Sequence, residues 1–562
     1  MTTDDVVTAI AATAPAEDAG GKGKSAAGTV LMALAAGQFL MILDSSVMNV
    51  SIATVAEDVG TTVAGIQTAI TLYTLVMASL VIVGGKLGTI MGRKRTFALG
   101  LVIYACGSLT TALSPSLPVL LFGWSFLEGV GAALILPAIV ALVAGNFPAA
   151  ARPKAYGLIA AAAAIAVAVG PLIGGLATTY ASWRWVFAGE VVVAGLILLF
   201  ARRIQDAPPE RRPHLDLVGA ALSVVGLALM VLGVLKTSEW GWVEPKTDDS
   251  PALFGISLSL WFIMGGILVL WLFFRWQDRL YQAGKEPLVD PTLLEVRQLR
   301  AGLIAFFSQY FLQAGVFFLV PLFLSVALGM SAIDTGLRLM PLSITLLLAA
   351  VGIPKLRPGA NPRRIVRIGL LFFLAGLLVL LGGLDLDADA SIVAIPMLLI
   401  GFGIGAMASQ LGAVTVSAVP DEKSPDVGGL QNTVTNLGIS LSTALVGSIL
   451  IAVLTSSFIA TIQENPDVPD SVKQQASTEL VGGIPFMSDA DLEEAMKQAG
   501  ASEDVTKAAL DANAEARIAG LHTALAVLAV ITCLAIVLVQ RLPTKPIGGG
   551  GTEKAAATAE AA

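Results

Sequence analysis

Gly85-Lys86-Leu87-Gly88-Thr89-Ile90-Met91-Gly92-Arg93-Lys94-Arg95 joins two long apolar runs, at about 66–86 and 96–113. Its glycines permit a very short turn and close helix packing. Its four basic residues are the kind that hold a loop on the cytoplasmic side of a membrane. The stretch therefore predicts a tight cytoplasmic turn between two membrane helices.

The rest of the chain extends that reading. Of 562 residues, 56% are hydrophobic and 13% charged, and mean hydropathy is +0.81. This excludes a water-soluble enzyme, a disordered protein and a nucleic-acid-binding module. The apolar residues fall into runs long enough to cross about 30 Å of hydrocarbon as helix. We read fourteen, near 30–51, 66–86, 96–113, 117–143, 155–178, 184–202, 217–236, 252–275, 300–327, 333–353, 364–382, 391–414, 428–456 and 520–540. Backbone groups cannot stay unpaired in lipid, so each run is expected to be helical. With the N-terminus placed inside, 26 of the 34 basic residues fall on cytoplasmic segments. That bias sets the topology, and an even span number puts both termini in the cytoplasm.

The remaining polar segments are few. Residues 1–29 and 542–562 read as disordered cytoplasmic tails. Within the first, Gly23-Lys24-Ser25 looks like the end of a phosphate-binding loop, but Asp18 stands where that motif needs glycine. Residues 457–519 carry twelve acidic and four basic residues, a net of −8 that exceeds the whole chain's −7. They are expected to form an extracytoplasmic helical cap, with a short capped helix after Ser488 and a second from about 502. Two cysteines and two histidines, all far apart, provide no disulfide framework. Neither a metal site nor a cofactor is expected.

The turn quoted above resembles the G-x-L-a-D-r-x-G-R-K loop of the major facilitator superfamily, with Thr89 in the aspartate's place. In the family that aspartate joins a charge relay holding the outward-facing state, which Thr89 cannot do. In the fifth run, Gly157, Gly170, Pro171, Gly174 and Gly175 resemble the family's antiporter motif, g-x8-g-x3-G-P-x2-G-G, with Ala166 at its second position. Leu43-Asp44-Ser45-Ser46-Val47-Met48-Asn49-Val50, Ser182-Trp183-Arg184-Trp185-Val186-Phe187 and Gly429-Leu430-Gln431-Asn432-Thr433 are similar to stretches of the fourteen-span drug:proton antiporter branch. The resemblance covers about 30–541. It implies an all-α major facilitator fold with a 6+2+6 arrangement. Residues 30–202 would form one six-helix bundle, 203–299 two extra helices with linkers, and 300–541 the second bundle. Gly85, Gly92, Arg93 and Lys94 would serve conformational change together with the antiporter motif.

Acidic residues within apolar spans are functional candidates, because inserting one at a helix centre costs about 2.5–3.5 kcal/mol. Asp44, Glu128 and Glu190 are the candidates for proton coupling or substrate binding. Glu128 stands at the glutamine of the family's R-x-x-q-G element, whose arginine position is Ser125. Glu190 stands where the branch more often has asparagine. Gln38, Tyr73, Trp124, Gln309, Gln313, Phe317, Asn432 and Asn436 are candidates to line a cavity, the aromatic ones by stacking on a cation. Helix–helix packing is the alternative role for each.

The resemblance implies a proton-coupled antiporter, not an enzyme, exporting hydrophobic, cationic drugs across a bacterial cytoplasmic membrane by alternating access. It would act as a monomer in the bilayer, with protons and small molecules as partners and no nucleic acid. Two alternatives stay open. One is a same-fold exporter of an endogenous lipid, siderophore or metabolite, and the other a non-transporting membrane receptor or scaffold.

Overall fold

The structure is a computed structural model. It describes residues 20–544 except 148–151, 207–214, 248–249, 358, 387, 421–422, 467, 471–472, 475–483 and 499–500. Fourteen long helices follow one another along the described residues. The first six are α1 (Gly20–Val50), α2 (Val63–Met91), α3 (Arg93–Ala112), α4, α5 (Arg152–Tyr180) and α6 (Arg184–Ala201). Helix α4 is continuous but composite: Leu117–Leu120, a π-helical segment Leu121–Glu128, then Gly129–Asn146. Next come α7 (Leu217–Leu235) and α8 (Leu258–Gln282). The last six are α9 (Arg297–Leu322), α10 (Ala332–Leu356), α11 (Pro362–Gly383), α12 (Ala394–Val416), α13 (Ser424–Glu464) and α14 (Glu503–Leu538). Among the described residues, twelve helices are long and apolar enough to cross a membrane. Of the other two, α3 opens on Arg93-Lys94-Arg95, and α5 has a shorter apolar stretch at Ile165–Tyr180.

Several boundaries differ from the sequence reading. Helix α1 begins at Gly20, so the expected tail to residue 29 shortens. Residues 1–19 and 545–562 of the two expected tails lie outside the described residues. The eighth span starts at Leu258 rather than 252. Phe254 and Gly255 adopt positive φ in a turn between two-residue antiparallel strands, Ala252–Leu253 and Ile256–Ser257, and Ser257 Oγ then caps α8. In the segment 457–519, α13 runs past its expected end near 456 to Glu464, while the second helix expected from about 502 is present as the start of α14 at Glu503. A ten-residue helix, Asp489–Gln498, lies between them, with Ser488 Oγ accepting from the Asp491 N–H. Hydropathy finds the apolar part of a helix and misses the polar turns that continue it.

Helices α1–α6 pack mainly on one another, as do α9–α14. The two sets meet along two seams, α5 on α10 and α2 on α13. Close approach in the first depends on glycine. A Cβ on Gly175 would lie 2.6 Å from the Ala332 carbonyl oxygen, and one on Gly336 would strike the Pro171 carbonyl. The second seam is polar. Gln67 Nε2 donates to the Thr443 carbonyl (3.0 Å) and Ser440 Oγ to the Thr71 carbonyl (3.0 Å). Helix α7 lies over this second seam, touching both α2 and α13, and α8 packs on α7. Only 17% of the apolar window of α8 is buried, against 67% for α2, so the extra pair is peripheral. Exposed apolar side chains such as Val192, Leu199, Trp271, Leu348 and Val530 suit the outer faces to lipid.

Candidate functional site

Asp44, Glu128 and Glu190 come from α1, α4 and α6, and one carboxylate oxygen from each lies within 4.8 Å of the other two. All three are buried, at 0%, 0% and 2% exposure. Each is gripped through one oxygen. Trp124 Nε1 donates to Asp44 Oδ1 (2.8 Å), and Thr111 Oγ1 to Glu128 Oε1 (2.9 Å). Tyr104 Oη (3.0 Å) and Ser108 Oγ (3.1 Å) donate to Glu190 Oε2. The second oxygens, Asp44 Oδ2, Glu128 Oε2 and Glu190 Oε1, have no hydrogen-bond partner. None of the ion pairs among the described residues involves these three acids.

The local fold explains the convergence. Glu128 ends the π-helical segment of α4, which also carries Trp124 and Ser125. Such segments commonly occur at functional sites. Ser125 Oγ donates to the Ala69 carbonyl (2.8 Å), pinning this segment to α2. Gly107 lets α3 reach the acid, because a Cβ there would lie 2.5 Å from Glu128 Cγ. The Tyr73 ring stacks on Trp124, with centroids 5.0 Å apart. At an effective dielectric of about 20, two full charges 4.8 Å apart repel by roughly 3.5 kcal/mol. The cluster as three bare carboxylates is therefore unfavourable, and it is suited to holding protons or a cation.

The other candidates divide. Tyr73 and Trp124 border the cluster directly. Asn432 and Asn436 spend their amides on carbonyls one turn back, those of Gly428 and Asn432. Gln309 and Phe317 are buried in α9, while Gln38 and Gln313 are half-buried. None of these four has a hydrogen bond to the acids. Arg184 does not pair with Glu190. With Trp183 Nε1 it bonds Asp58, and its Nη2 donates to the Ser114 carbonyl, tying α6 to the ends of its neighbours. The sequence reading missed Tyr104, Ser108 and Thr111. Their spacing of four and three places them on one face of α3, a signal that was there to be read.

The glycine motifs occupy two other places. In α5, Gly170 and Gly174 press on Ser46 and Val47 of α1, just past Asp44, while Gly175 faces α10. Gly157 lies outside the residues whose side chains are described. The turn after α2 is the single residue Gly92, at φ +99°. Arg93 Nη1 donates to the Ala141 carbonyl (3.2 Å), and Lys94 Nζ to the Arg202 carbonyl (2.8 Å). Thr89 bonds only its own helix, at the Lys86 carbonyl. Gly85, Lys86, Thr89 and Arg93 line a cavity of about 100 Å³ together with Leu288–Asp290, Asp426, Gly429 and Leu430.

Comparison with known proteins agrees with this architecture. Residues 34–443 match the Major Facilitator Superfamily. The chain is 25% identical to the multidrug resistance protein Stp of Mycobacterium tuberculosis, over 80% of each chain. It is 30% identical to the cephamycin export protein CmcT of Amycolatopsis lactamdurans, over 74% of this chain and 83% of that one. Among solved structures, a peptide transporter bound to sulfate superposes with a TM-score of 0.57 at 15% identity, covering 96% of this chain and 99% of that one. The chain is a multi-pass membrane protein and belongs to the major facilitator superfamily of transporters.

Proposed function

We propose that the protein is a proton-driven exporter of hydrophobic, cationic compounds in the cytoplasmic membrane of a bacterium. The observation that carries this is the buried Asp44–Glu128–Glu190 cluster, which has no basic partner among the described residues and is bordered by the Trp124–Tyr73 stack. Protons relieve the repulsion within the cluster, and an approaching organic cation relieves it too. The two therefore compete, and linkage makes that competition reciprocal. The stacked rings offer a face to a cation once the cluster opens. The names of the relatives, a multidrug resistance protein and an antibiotic exporter, support the same reading.

In this reading all fourteen helices span the membrane as six, two and six. Both termini and the Gly92 turn are cytoplasmic, and the 465–502 connection is outside. Residues 30–202 and 300–541 rock against each other, with 203–299 supplying the extra pair. The motif on α5 suits the coupling of such rocking to the acids, since one face of that helix meets the Asp44 helix and the other meets α10.

The test is cation-induced proton movement in inverted vesicles, followed with a pH-sensitive dye. Hydrophobic mono- and dications are added to wild type, Asp44→Asn and Glu128→Gln. Proton release from the vesicles on adding a cation, at least tenfold weaker in either variant, is the expected result. Equal release in wild type and both variants would refute the role of the cluster. No release with any cation would refute cationic cargo and move the weight to a lipid, siderophore or metabolite.

A further inference from the structure

We propose that the Asp44–Glu128–Glu190 cluster is also a binding site for a bare, oxygen-seeking metal cation of about the size of calcium or sodium. The site stands on its geometry, independently of the export reading. Three oxygens mutually within 4.8 Å have a common point no farther than about 2.8 Å from each. Calcium takes oxygen ligands at about 2.3–2.6 Å, so a closure of a few tenths of an ångström completes the contact. Magnesium demands about 2.0–2.1 Å, near-octahedral geometry and several retained waters, and fits this spacing poorly. Carboxylates alone select a hard cation. No softer ligand joins them: His522 bonds the Leu384 carbonyl, and Cys106 and Cys533 are exposed.

A second observation makes this more than a cluster of acids. Every carboxylate is oriented by donors on one oxygen and leaves the other free. That is how outer partners prepare metal ligands. The hydroxyl of Tyr73, a residue 1% exposed, has no hydrogen bond of normal geometry and faces the Asp44 carboxylate, so a fourth helix brings a polar oxygen to the edge of the cluster. An ion there would join α1, α2, α4 and α6.

The experiment uses full-length protein in detergent at pH 8, with terbium(III) as a calcium-sized luminescent probe. Trp124 donates a hydrogen bond to a ligand residue, so it should sensitise terbium at this site. Residues 457–519, where acids are plentiful, contain no tryptophan. Asp58 beside Trp183 and Asp216 beside Trp276 supply background. The signal is therefore the part of the emission lost in Trp124→Phe. We expect that part to be present in wild type, displaced by calcium chloride but not by choline chloride, and absent in Asp44→Asn with Glu190→Gln. In wild type, calcium or sodium chloride should also raise the unfolding temperature above that in choline chloride of equal ionic strength. Emission unchanged by Trp124→Phe, or not displaced by calcium, would overturn the proposal without relying on the acid variants folding well. So would identical unfolding temperatures in the three salts.

Discussion

The two seams between the halves are built differently. Where α5 meets α10, small residues bring backbone against backbone, with Thr179 Oγ1 accepting from the Ile333 N–H (3.1 Å) and Ser343 Oγ donating to the Val167 carbonyl (3.3 Å), and nothing comparable to α7 lies over that seam among the described residues. Where α2 meets α13, side-chain amide and hydroxyl groups reach across to carbonyls, and α7 lies over the junction. Ser448 Oγ of α13 adds a hydrogen bond to the Val234 carbonyl at the end of α7 (3.1 Å). Both seams carry hydrogen bonds, but in the first glycines bring carbonyls of one helix against the other, while the second has a brace. A contact held by shape fails when anything is added. A contact held by several bonds weakens by degrees when one is removed.

The most damaging change should therefore be Gly336→Leu. Its side chain has no room beside the Pro171 carbonyl, and overpacking of this kind costs about 1–3 kcal/mol. We expect the halves to close roughly 5–150-fold less often, with a matching fall in export rate for protein that still purifies folded. Gln67→Leu removes one bond from the braced seam, worth about 0.5–1.5 kcal/mol, and should slow export two- to tenfold. If the two variants were equally damaging, the distinction between the seams would be wrong.

The smallest effect sharpens the comparison from the Gly92 end. There Lys423, just ahead of α13, pairs with Asp290 in the segment leading to α9 (2.7 Å). Partial burial pushes the Asp290 carboxyl up, but the Lys423 ammonium and the Thr292 hydroxyl and amide together hold it below the usual aspartate range. A carboxyl lowered by folding stabilises above its unfolded value of about 3.9 and loses that contribution as pH falls through the folded value. Lys423 is partly exposed, so the pair is worth at most about 1 kcal/mol. The unfolding temperature of Lys423→Ala should fall slightly below wild type at pH 7, and the gap should close as pH falls below the usual aspartate range. A gap that stays constant across this range would remove Asp290 from the tie.

Much of this was legible in the chain. Hydropathy places the helices because lipid forces every backbone group into internal bonds. Acids in apolar runs point to a site because they are costly there. What lies beyond reach is convergence. Asp44, Glu128 and Glu190 meet only because α4 and α6 pack on α3 while α1 packs on α4 and α6, and no local pattern encodes that packing. Nor does any residue in Leu121–Glu128 announce a π-helical segment, although it sets where Trp124 and Glu128 point. The start of α8 was lost for a different reason: Ala252 and Leu253 are as apolar as a helix, and only the turn at Phe254–Gly255 separates them from it.

Helix α13 has one more consequence. It is 41 residues without a break, about 61 Å long, roughly twice the thickness of hydrocarbon. Ser440, its contact with α2, sits well inside, and from there to Glu464 the rod extends about 36 Å. Such a rod is a lever. A tilt of about 15° at the seam would swing its far end by about 9 Å. In the topology proposed above, the acidic segment at that end would then act as a pointer, reporting to the outside which way the halves are leaning.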